Sequence, residues 1–238
     1  MKLLRFSALP DSMSWRKCIR GLIGLDLDRK RQLCYAQDGE DLILDRYLEG
    51  QASGFYVDIG AHHPMRFSNT YLFYRRGWRG INIDAMPGSM KAFARIRPRD
   101  INVECGVAGN AGRLTYHRFN ESALNTFDAT EAQLKDRAPY RLLDTVEVAV
   151  ERLDALLARH LPVGQQIDFL SVDVEGKDEE VLRSNDWCRC RPRFILAETL
   201  RTDILALGTC PVVQFLQGVG YRPIAKAYNT TFFQREAD

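Results

Sequence analysis

No stretch of this chain is apolar for long enough to span a bilayer or act as a secretory leader, and the opening "MKLLRFSALPDSMSWRKCIRGLIGL" is broken by charge. A strong excess of one charge is missing too. Lys plus Arg outnumber Asp plus Glu by only 33 to 31, a formal charge of +2, so nothing marks a nucleic-acid binder. The six cysteines are scattered, and the one close pair, "CRC", lacks the C-x-x-C spacing of zinc and redox motifs. Reduced thiols in a soluble cytoplasmic protein are the expectation. No G-x-G-x-x-G fingerprint occurs, which puts a nicotinamide dehydrogenase last among the enzyme readings. Internal repeats and low-complexity segments are absent.

What is present suffices for one substantial core: 238 residues, 45% of them hydrophobic. Residues 1–34 form a basic extension with eight Lys or Arg against three Asp. Its charge suits peripheral contact with an anionic membrane or a partner, although a solvated, partly disordered arm is the simpler reading.

From residue 35 the pattern alternates. "YAQDGEDLILDRYLEG" predicts a helix, "FYVDIGA" a strand, "SNTYLFYRRGW" a helix and "GINIDA" a second strand. A short helix over Lys91 to Arg97 and a third strand, "INVECGVAG", complete a β-α-β-α-β order that favours parallel pairing. "GRLTYHRF" reads as an extra strand, and "NESALNTFDATEAQLKDRAPYRLLD" as a long polar connection. Alternation resumes with "VEVAVERLDALLARHL", "IDFLSVDVEG", "KDEEVLRSNDW" and "RPRFILAETL", and the tail predicts a helix followed by a closing hairpin.

Ligands of open parallel sheets collect beyond the carboxyl ends of the strands. "GFYVDIGAHHP" brings Asp58, Gly60, His62 and His63 there, and "NIDA" brings Asp84. A buried carboxylate needs a cation, N–H groups or water, and one glycine beside it makes a poor pyrophosphate nest. Asp84 has the residue type and position to accept hydrogen bonds from a ribose diol. This constellation suits S-adenosylmethionine, whose sulfonium and ammonium are positive and whose ribose hydroxyls are free.

Four blocks, "AQDGEDLIL", "GFYVDIGAHHPMRFSNTYLFYRRGWRGINIDA", "RPRDINVECGVAG" and "IDFLSVDVEGKDEEVLRSNDW", strongly resemble the FkbM family of S-adenosylmethionine-dependent methyltransferases. The resemblance implies a Rossmann-like class I methyltransferase α/β fold: a seven-stranded, mostly parallel sheet with helices on both faces. The domain would cover 35–238, with a substrate-side insertion around 110–145. It further implies methyl transfer to a hydroxyl of a sugar, glycolipid or small natural product. Asp58, Gly60 and Ala61 would meet the cofactor's amino-acid end and Asp84 its ribose. Gln37, Glu40 and Asn69 would line the same pocket, with helix capping as the alternative for each. Met86 stands where relatives are often polar.

"SVDVEG" ends another strand with Asp173 and Glu175, two apart and so on one side of an extended chain. Asp173 is the favoured base or substrate ligand; Glu175 orients the substrate, or else caps the next helix; His62 is a further catalytic candidate. The acidic edge with Glu198 is of the kind that attracts magnesium, but no metal is assigned, and the adjacent His62 and His63 do not chelate. Substrate contacts are expected from Ser122, Asn125 and Glu198, with Asn120, Glu121, Thr126 and Asn229 behind them. A catalytically silent S-adenosylmethionine-binding or scaffold protein is the competing reading.

Overall fold

The computed structural model describes residues 32–236. All but three residues of the basic extension therefore lie outside the described residues.

β1 (Phe55–Ile59), β2 (Arg79–Asp84), β3 (Ile101–Glu104), β7 (Phe169–Val172) and β8 (Phe194–Glu198) pair in parallel, and β9 (Tyr221–Ala227) and β10 (Thr230–Arg235) close the sheet. β1, β2, β7 and β8 are buried along nearly their whole length, and β3 only partly. The order is β3-β2-β1-β7-β8-β10-β9, with β10 antiparallel to both neighbours. This is the Rossmann-like, seven-stranded, mostly parallel architecture that the resemblance implies.

Period-two alternation divides the core between the sheet's faces. Val57, Ile59, Ile81, Leu170 and Ile195 pack with Leu156 of α5 (Leu153–His160), Val181 of α6 (Asp178–Arg183) and Leu216 of α7 (Pro211–Gly218). Tyr56, Phe169, Phe194 and Leu196 face Leu44 of α1 (Glu40–Tyr47) and Phe73 of α2 (Tyr71–Arg75). A short α3 (Met90–Ile96) adds Met90 and Phe93 against Ala61.

Three expectations need correcting. Residues 35–39 are not helical: Gly39 takes φ 87°, and the Asp41 carboxylate accepts from the Tyr35 N–H (2.7 Å), which holds the segment as a turn before α1. The third strand breaks at Cys105, whose N–H bonds Asp84 O at 3.0 Å; beyond it β4 (Gly106–Val107) joins a second sheet. That sheet consists of β4, β5 (Gly112–Phe119) and β6 (Leu142–Glu151), in the order β4-β6-β5. The polar connection is accordingly no bare loop. It holds a 3-10 turn at Ser122–Leu124 and α4 (Ala129–Lys135), which is capped by Asp128 accepting from the N–H groups of Thr130 and Glu131.

β1 and β7 are neighbours although far apart in sequence, so chain progression reverses between them. A crevice opens at such a point. No helix among the described residues is long and apolar enough to cross a membrane.

Candidate functional site

A cavity of about 260 Å³ lies at the carboxyl ends of β1, β2, β7 and β8, roofed by the connection between β5 and β6. Its floor is the turn after β1. Gly60 and Ala61 donate N–H bonds to Ile83 O (3.0 and 3.1 Å), while Asp173 N–H reaches Ile59 O at 3.0 Å. Gly60 has φ 77°, and a Cβ there would stand 1.8 Å from Asp173 O. Glycine is required because two backbones meet, and Gly60 itself lines the cavity.

Asp84 closes β2 and faces the cavity. Its two carboxylate oxygens accept from the N–H groups of His62 (2.8 Å) and Met86 (2.9 Å), so it both shapes the turn and offers its remaining lone pairs inward. Burial pushes its pKa up against those bonds. His62 sits at φ 52°, its Nε2 3.0 Å from Ser122 Oγ, which ties the β1 turn to the roof. Burial, then Arg66, lowers the His62 pKa. His63 shapes the backbone, its Nδ1 accepting from the N–H groups of Met65 and Arg66.

Gln37, Glu40 and Asn69 line the same cavity. Glu40 accepts from Asp38 N–H (2.8 Å) and Thr230 Oγ1 (3.3 Å), and Asn69 donates to Ser171 Oγ (3.0 Å). Glu40 does not cap α1: its carboxylate holds the turn before the helix and faces the cavity.

At the opposite end, Asp173, Glu175 and Glu198 converge, each offering a carboxylate oxygen within 4.8 Å of the others. Asp173 and Glu198 follow or end β7 and β8, but Glu175 comes about differently from the expected extended spacing. It takes φ 53°, is followed by Gly176 at φ 102°, and is fixed by Thr126 Oγ1 donating to its carbonyl and by Lys135 Nζ on its Oε2 at 2.5 Å. Asp173 lines the cavity and is accessible to solvent, and burial followed by Glu175 and Asp178 holds its pKa well above the carboxylate range. Burial, then Asp173, Glu175 and Asp178, pushes Glu198 up to about 11, and burial with Glu175 pushes Asp178 up to about 7.

Asp58 and Ala61 do not line the cavity. Asp58 is the fourth residue of β1, on the face opposite Val57 and Ile59, where it accepts from Thr70 Oγ1 at 2.7 Å. It therefore belongs to a buried layer beneath the site rather than to its surface. Arg97, 0% exposed, centres that layer: its guanidinium donates to Asp100 (2.8 Å), Tyr56 Oη (2.7 Å) and Thr70 Oγ1 (3.0 Å). Ala61 is buried against Met90 and Phe93, its N–H spent on Ile83.

Of the substrate candidates, Ser122, Asn125, Glu198 and Asn229 line the cavity. Asn125 is largely committed, its Oδ1 accepting from Phe119 N–H at 2.8 Å. Asn120 and Glu121 are used elsewhere: Asn120 caps Arg141 N–H, and Glu121 pairs with Arg66 at 2.7 Å. Sequence reasoning missed Lys135, Tyr116, Phe127 and Thr230 among the lining residues.

The family model of the methyltransferase FkbM domain matches residues 58–223, more than half of the chain. Among solved structures, a TehB-like SAM-dependent methyltransferase from Corynebacterium glutamicum is similar at 11% identity and a TM-score of 0.40, over 93% of this chain and 98% of that one. At that identity and score the likeness carries no functional weight. No curated protein matches the chain. With the strand ends of a seven-stranded sheet converging on one acidic cavity and the domain model matching residues 58–223, the chain belongs to the FkbM methyltransferase family.

Proposed function

We propose that this chain is an S-adenosylmethionine-dependent O-methyltransferase whose acceptor is a hydroxyl of a sugar, glycolipid or small natural product. One observation carries the reading: Asp84 lines one end of a cavity whose other end holds Asp173, Glu175 and Glu198. The residues present fit a cationic methyl donor. Glu40, Gln37 and Asn69 would receive its amino-acid end and Asp84 its ribose, while Val107 and Phe127 offer apolar surface for the base.

The bound donor supplies an electrophilic methyl carbon on a positively charged sulfur. The protein must hold an acceptor oxygen in line and remove its proton. Asp173 is the base in this reading. A carboxylate whose proton affinity is raised by burial and by neighbouring carboxylates takes up a hydroxyl proton more readily than an ordinary one. Glu175, held by Lys135, orients the acceptor, and Ser122 with His62 closes the roof over it. Five unpaired thiols among the described residues, Cys34, Cys105, Cys188, Cys190 and Cys210, support a reducing compartment such as the cytoplasm.

Calorimetry with S-adenosylmethionine and its demethylated product tests the first half: saturable binding is expected, and its absence overturns the reading. Radiolabelled methyl transfer into glycan and small-molecule extracts tests the second. Tight binding without transfer to any acceptor would favour a silent binding protein.

A further inference from the structure

Glu198 is the buried member of the three converging carboxylates. It is 8% exposed, lines the cavity, and its Oε2 is buried with no hydrogen-bond partner among the described residues. A buried carboxylate oxygen without a partner is destabilising unless something positive meets it. Its neighbours Asp173 and Glu175 place further carboxylate oxygens within 4.8 Å, and neither is hydrogen-bonded to that oxygen.

We infer that Asp173, Glu175 and Glu198 form a binding site for a hard divalent cation on the acceptor side of the cavity. The spacing fits. Oxygens on opposite sides of an ion with bonds of about 2.1–2.4 Å stand about 4.2–4.8 Å apart, and adjacent ones closer. The charge fits as well. A dication displaces the carboxyl protons, and the three ionised carboxylates with Lys135 then carry two negative charges, which the ion cancels. Lys135 need not leave, because it engages Glu175 Oε2 and the other oxygen stays free. Asp178 lies next to the group but accepts the Glu198 N–H at 3.3 Å from the start of α6, so it backs the site rather than joining it.

All three ligands are carboxylates, which selects magnesium, manganese or calcium over softer ions. Three protein oxygens leave coordination positions open, where a hydroxyl oxygen would bind and become more acidic. Asp173 contributes one oxygen, so its second remains to accept the hydroxyl proton while the methyl passes to oxygen and the sulfur–carbon pair stays on sulfur. This catalytic role rests on the methyltransferase reading; cation binding does not.

The test is calorimetry of the full chain with Mn²⁺, Mg²⁺ and Ca²⁺, without cofactor or acceptor, supported by Mn²⁺ electron paramagnetic resonance. Saturable binding at one site is expected, weakened tenfold or more by Glu198→Gln and by Asp173→Asn. Circular dichroism and binding of the demethylated cofactor product establish that each variant is folded. No saturable binding of any of the three ions to the wild-type protein overturns the inference, as does unchanged affinity in both folded variants. If the demethylated product binds while no metal does, only the cation site fails. If neither binds, the methyltransferase reading falls with it.

Discussion

A Cβ on Gly60 would stand 1.8 Å from the carbonyl oxygen of Asp173, so the turn that floors the cavity and the strand end that supplies the proposed base are in backbone contact. The two cannot move independently. Gly60→Ala is expected to cost about 2–4 kcal/mol, combining overpacking of about 1–3 with a left-handed penalty of about 1. Urea denaturation reads the loss. Cofactor binding should fall with it, because relief of the clash displaces either the floor or Asp173.

Arg97 is a cation sealed beneath the site, and its removal leaves Asp100 and Asp58 without their positive neighbour. Arg97→Met should cost about 3–5 kcal/mol, the usual penalty for breaking a buried pair. Arg97→Lys should recover little, because one ammonium cannot reach Asp100, Tyr56 and Thr70 together. Denaturation midpoints of the two variants settle this.

Asp84→Asn keeps shape and loses charge. A drop of about tenfold or more in affinity for S-adenosylmethionine is expected, roughly 1.4 kcal/mol or more. Calorimetry checks it. An unchanged affinity would remove Asp84 from the cofactor site.

His62 provides a pH signature. Burial and Arg66 hold its folded pKa below the ordinary 6.5, with His63 adding to and Glu121 opposing the shift. Because the folded value is depressed, its contribution to stability is complete above pH 6.5 and is lost as pH falls through the folded value. His62→Gln should therefore flatten stability against pH just below 6.5 relative to wild type. Urea midpoints over that window, with an NMR titration of the ring, decide it.

The sheet was legible because its central strands are short, nearly continuous apolar runs bounded by Gly, Asp and Pro, and the small sheet was only half legible. Nothing in "INVECGVAG" marks Cys105 as the point where the chain leaves one sheet for another; only Gly106 packing under Val150 and Phe127 shows why it does. Asp84, Asp173 and Glu198 could be placed because each lies at or just past the end of a clean strand. Asp58 misled, since one residue's difference along β1 moves a side chain from the strand's end into the layer below. Lys135 and Arg97 gave no signal. Lys135 sits in a polar connection without periodicity, and Arg97 in "RPRD", which reads as surface until Tyr56 of β1 and Thr70 are brought to it from elsewhere in the chain.

β10 lies inside the sheet, between β8 and β9, and Thr230 at its start donates to Glu40 in the wall of the cavity. Residues 230–235 are thus needed before β9 has any partner. The ribosome must release this segment before the sheet can finish assembling, so the acidic crevice matures only after synthesis has passed it. Until then the open flank of β8 is a temporary docking edge that chaperones would have to shield.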